Sequence, residues 1–130
     1  MIALDTTAII DLFKGVEDLK RKLTSMREPL CATRMSYVEL MFGIDPENKK
    51  HLDEERYYDE FFQTIKVFEL DADAAKTASR THWSLKQDGQ EIDETDCLIA
   101  AILTNQGVKR IITRNKKRFE RIPGMNVMEY

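Results

Sequence analysis

The residues of this 130-residue chain that could do chemistry are acids at the ends of apolar runs. Asp5 closes the run Met1-Ile2-Ala3-Leu4, and Glu39 sits in Ser36-Tyr37-Val38-Glu39, just after the apolar stretch Leu30–Thr33. Asp93 and Asp96 open the most apolar segment of the chain, Thr95 to Gln106. A carboxylate next to a buried strand must be solvated, paired or metal-bound, because burying a bare charge costs several kcal/mol. Each acid also has a structural use. Asp5 can cap the helix that follows it. Ser36 and Glu39 have the spacing of a capping box, and Asp93 and Asp96 suit the positive end of a helix. Brought to one edge, however, the acids repel one another and raise each other's pKa unless a cation sits between them. An all-oxygen donor set with no nearby Cys or His favours a hard cation, Mg²⁺ or Mn²⁺. Such an ion activates water and stabilises charge on a phosphoryl oxygen.

A substrate with phosphates also suits the charge pattern. The net charge is −3, yet Lys109 to Arg121 holds seven basic residues and one acid, leaving −9 elsewhere. Asp88 to Asp96 carries five acids and no base. Arg114, Lys116, Lys117 and Arg118 are therefore candidates to hold a polynucleotide backbone beside the acids.

The elements that must position these groups alternate. Short apolar strands are predicted at Met1–Leu4, Leu30–Thr33, Ile65–Leu70 and Val108–Thr113, with a last edge strand at Asn126–Met128. Between them lie helices over about 7–14, 16–26 and 36–43, a charged helix from the Asp45-Pro46 start to about Gln63, one capped by Asp71, and the apolar helix of 95–106. Strands separated by helices imply crossover connections, a mainly parallel sheet of four to five strands, and a three-layer α/β/α domain spanning 1–130. In such sheets the sites form beyond the carboxyl ends of the strands. Those ends carry Asp5-Thr6-Thr7, Arg34 to Glu39, and Thr113-Arg114-Asn115.

Composition narrows the class further. With 42% hydrophobic residues the chain can build a core. Two cysteines in apolar surroundings, Cys31 and Cys97, read as buried reduced thiols and supply neither a disulfide framework nor a zinc site. No apolar run reaches the ~20 residues of a membrane span, and no secretory leader is evident, so the expectation is a soluble cytoplasmic protein. His51 and His82 read as surface histidines, and Tyr57, Tyr58, Phe61, Phe62 and Trp83 as a helix face for core or dimer contact.

Four segments in order resemble the PIN domain family, and within it the VapC-like toxins of prokaryotic toxin–antitoxin pairs. They are Met1-Ile2-Ala3-Leu4-Asp5-Thr6-Thr7, Ser36-Tyr37-Val38-Glu39-Leu40, Ile92-Asp93-Glu94-Thr95-Asp96-Cys97 and Ile112-Thr113-Arg114-Asn115-Lys116 with Ile122-Pro123-Gly124. The resemblance implies a Mg²⁺- or Mn²⁺-dependent endoribonuclease. It makes Asp5 and Asp96 the main metal ligands, Glu39 a ligand through the metal's waters, and Asp93 a supporting acid. Thr6, Thr113 and Asn115 become supporting polar residues. Asn115 stands where many members place a fourth acid, which leaves one or two ions open. The implied partners are an RNA substrate, a small cognate antitoxin and a second copy of the chain, without a membrane. A competing reading is a catalytically silent PIN-like module that binds RNA or a partner, disfavoured because Asp5, Glu39 and Asp96 are all present. A haloacid-dehalogenase-like phosphatase needs an Asp where Thr7 stands. A phospho-receiver needs an acid pair and a middle-strand Asp that have no counterpart.

Overall fold

Three-residue strands can be stable only if both faces are covered, and alternation along β1 (Ile2–Leu4) shows how that is done. Ile2 and Leu4 point into one apolar layer and Ala3 into the other, all three fully buried. The computed structural model describes all 130 residues. Its remaining elements are α1 (Thr6–Phe13), α2 (Glu17–Met26), β2 (Leu30–Thr33), α3 (Arg34–Phe42), α4 (Lys49–Thr64), β3 (Lys66–Phe68), α5 (Ala72–Gln87), α6 (Glu94–Asn105), β4 (Arg110–Ile112), α7 (Lys116–Glu120) and β5 (Asn126–Met128). One layer packs Ala8, Ile9, Leu19, Leu40, Tyr58 and Phe62 from α1–α4 against the sheet. The other packs Ala78, Leu85, Cys97, Ile99, Ala100, Leu103 and Phe119 from α5–α7. The architecture is the expected α/β/α sandwich.

Every strand pair is parallel, and the order is β3-β2-β1-β4-β5. The chain moves outward from β1 to β3, then returns to the opposite side of β1 to lay down β4 and β5. The order therefore reverses between β1 and β4, where ligand crevices form in open parallel sheets. Leu4 pairs with Ile112, so Asp5 and Thr113 leave the sheet side by side. The amide of Asp5 donates to the Ile112 carbonyl at 3.2 Å.

Several local expectations change. The helix carrying Glu39 starts at Arg34, with Thr33 rather than Ser36 as its cap; the Ser36 amide donates to Thr33 Oγ1 at 3.3 Å. The charged helix starts at Lys49 behind Asn48, whose side chain accepts from the Lys50 and His51 amides. Asp45 instead closes a turn by accepting from the Glu47 amide two residues on, at 2.9 Å. β3 is shorter than its apolar run because it is an edge strand, paired only with Cys31–Thr33. His51 accepts the Asp45 amide on Nδ1, and His82 Nδ1 is buried without a hydrogen-bond partner, so neither is a plain surface histidine. Of the aromatic face, Tyr58 and Phe62 are buried while Tyr57 and Trp83 are exposed. Both cysteines are free and buried, as read from sequence.

Candidate active site

Asp5 is the best-held carboxylate. It is 2% exposed and serves as N-cap of α1, accepting the Ala8 amide on Oδ1 at 2.9 Å. Thr7 Oγ1 donates to the same oxygen at 2.8 Å, and Thr113 Oγ1 donates to Oδ2 at 2.6 Å. Burial pushes its pKa up, and the three donors only partly offset this. Capping and site-building are thus one arrangement. Thr7 also accepts the Arg114 amide at 3.1 Å, which stitches the β4 exit onto α1.

Glu39 is not part of a capping box. With Thr33 as the cap, its carboxylate is released to the front of α3, where Thr6 Oγ1 donates to Oε1 at 2.6 Å. The buried Ser36 hydroxyl lies 3.1 Å from the same Thr6 oxygen. Asp93 occupies the N-cap position of α6 but makes no side-chain cap bond; its Oδ2 accepts from Arg118 Nη1 at 2.8 Å.

Asp96 is the electrostatic centre. It is 7% exposed, and burial first, then the charges of Asp93, Glu39 and Asp5, push its pKa up to about 6 against the pull of Arg118. The charges of Asp5, Glu39 and Asp93 are thus all felt at Asp96. Its Oδ2 is buried without a hydrogen-bond partner. Arg118 Nη1 lies 3.2 Å from that oxygen, an ion-pair contact without hydrogen-bond alignment. An unpartnered carboxylate oxygen among other acids, with oxygen donors only, is the chemistry that suits Mg²⁺ or Mn²⁺. As the side chains stand, no three His, Cys, Asp or Glu groups gather closely enough to hold an ion. The cation beside Asp96 is Arg118.

The basic segment divides. Lys116 pairs with Glu120 and Glu129, Arg118 with Asp93 and Asp96, and Lys117 forms no ion pair. Together with Arg114 and Asn115 they line a hollow of about 420 Å³ without one apolar residue. The Asn115 side chain makes no cap bond to α7. Arg114 is committed elsewhere: its Nε and Nη2 clasp Asp11 at 2.9 and 2.8 Å. Tyr130 donates its hydroxyl to Asp11 at 2.5 Å. Burial alone would raise the Asp11 pKa, but the Tyr130 and Arg114 bonds outweigh it and hold the carboxyl below its ordinary value. Sequence reading missed this clasp, although Asp11 was the only acid within the apolar stretch Thr6–Phe13.

The family profile described as PIN domain matches residues 2–125. The chain belongs to the PIN domain family. It is VapC-like within it. A curated relative, the tRNA(fMet)-specific endonuclease VapC of Salmonella typhimurium, is 25% identical over 131 residues, covering 98% of this chain and 96% of that protein. Among solved structures, VapBC2 of Rickettsia felis bound to a promoter DNA fragment aligns with a TM-score of 0.83 at 22% identity, over 100% of this chain and 99% of that one. VapC20 of Mycobacterium tuberculosis, described as a sarcin-ricin loop cleaving toxin, aligns with a TM-score of 0.63 at 16% identity, over 85% and 87% of the two chains. These PIN structures share the α/β/α sandwich and its parallel sheet.

Proposed function

We propose that this PIN domain is a Mg²⁺- or Mn²⁺-dependent endoribonuclease, the toxin of a VapBC-type pair. The observation that carries the reading is Asp96, a buried carboxylate with an oxygen that accepts no hydrogen bond and three further acids whose charges raise its pKa. Carboxylates perturbed by burial and by neighbouring acids concentrate at functional sites. Asp5 and Asp96 would hold the ion, and Glu39 and Asp93 would add negative charge around it. When bound, the ion makes water a nucleophile at neutral pH and neutralises charge on the phosphoryl oxygen. The chain's own residues do the positioning. Thr113, Thr7 and the Ala8 amide fix both oxygens of Asp5, and Thr6 aims Glu39. Lys117, with Lys116, Arg118 and the partly exposed Arg114, offers positive charge to the RNA backbone beside them.

The named relatives support the nuclease and the toxin–antitoxin setting. A protein partner also fits the surface. Phe42 is 88% exposed and Tyr57 58%, and a hollow of about 440 Å³ lined by Ile10, Phe13, Leu40, Ile44 and Tyr58 runs up to Glu39. No helix is long and apolar enough to cross a membrane. We assign the hollow to the antitoxin and a homodimer to the exposed Trp83 side of α5. The second reading, a silent binding module, is favoured by Arg118 standing at Asp96 and by the spread of the acids, no three of which gather closely enough to hold an ion. RNA cleavage decides between them. Activity that requires Mg²⁺ or Mn²⁺ and disappears in folded Asp5→Asn and Asp96→Asn proteins is the expected result; undiminished cleavage by Asp96→Asn removes its assigned role.

A further inference from the structure

Arg118 makes a bridge between an exposed and a buried acid. Its Nη1 lies 2.8 Å from Asp93 Oδ2 and 3.2 Å from Asp96 Oδ2. The Asp93 side chain is 73% exposed, that of Asp96 9%. The arginine is brought there by the core rather than by chance of a loose tip: its neighbour Phe119 is fully buried against α6 and anchors the short helix α7. A fully buried ring of this size holds α7 in place.

We propose that Arg118 is a built-in counter-cation, which occupies the cation position beside Asp96 in the metal-free protein and must leave Asp96 for a divalent ion to bind. The inference rests on the metal-dependent reading above. A hard ion approaches a carboxylate oxygen to ~2.1 Å, and a guanidinium in contact with that oxygen both blocks and repels it. The two cations are therefore competitors for Asp96. Asp93 supplies the resting place. Its bond to Arg118 is the aligned one, in solvent, so releasing Asp96 needs only a side-chain shift. The residue thus weakens binding of the ion by direct competition for the same oxygen.

The test uses Mn²⁺ titration calorimetry on the wild-type protein and Arg118→Gln, together with the Arg118 Nε–Hε resonance during a Mg²⁺ titration of the wild type. Arg118→Gln is expected to bind Mn²⁺ about tenfold more tightly. The Arg118 resonance is expected to move with the midpoint of Mg²⁺ binding, a readout that needs no mutant to fold. If the wild type binds Mn²⁺ but Arg118→Gln binds no better, or if the resonance stays fixed at saturation, the competition is refuted while the metal reading stands. If neither folded protein binds Mn²⁺ at millimolar concentration, the metal reading fails and takes this inference with it.

Discussion

Asp96→Asn should stabilise the protein. Asp96 carries a pKa of about 6 in the fold against 3.8 unfolded, about 2 units. At ~1.36 kcal/mol per unit, its ionised form costs the metal-free fold at most ~3 kcal/mol near neutral pH. Asparagine keeps the shape and removes the charge, but its amide must find a partner. A net gain of ~1–2 kcal/mol remains, worth several degrees in Tm for a domain of this size. The sign with pH follows from the raised value. The folded protein retains the proton longer than the unfolded chain, so the wild type loses stability as pH rises from about 4 to beyond 6. The advantage of Asp96→Asn is thus absent near pH 4 and complete by about pH 7. Urea unfolding of both proteins in chelator across that range measures it. A mutant no more stable than wild type at neutral pH, or a gain that is flat with pH, would refute the reasoning.

Tyr130→Phe removes a donor from partly buried Asp11, and a hydrogen bond to a charged group of this kind should cost ~1.5 kcal/mol in chemical denaturation. Lys117→Ala removes the one cation of α7 without an ion pair and should reduce the salt slope of RNA binding by about 0.7, with the denaturation midpoint unchanged. Cys31 and Cys97 are buried; their thiols are pushed up, that of Cys31 to about 11. Both should resist a thiol reagent at about pH 8 until the protein unfolds, and fast labelling of the native protein would contradict their placement.

What was legible in the sequence depended on distance along the chain. Apolar runs ending in an acid or hydroxyl revealed β1, β2 and β4 and the groups at their ends, because strand burial and the change to polar residues are both local signals. Where two similar residues competed locally, the reading slipped: Thr33 and Ser36 are both good caps, and only the register of β2 decides for Thr33. That slip hid the freedom of Glu39. Pairings over 22 or more residues left no local trace. Arg118 was visible as a basic residue but not as the partner of Asp93 and Asp96, and the Asp11, Arg114 and Tyr130 clasp joins positions 103 and 119 residues apart.

Asp5 has a consequence for how relatives of this domain should be judged. Because its oxygens also start α1, losing it would forfeit a cap worth ~1 kcal/mol whether or not the crevice is used. A descendant that abandoned chemistry would gain by shedding Asp96 and still be held to a capping residue, Asp, Asn or Ser, at position 5. Survival of that first acid is therefore poor testimony of activity across a lineage; the more telling witness is Asp96, whose burial costs the fold more than a cap would return.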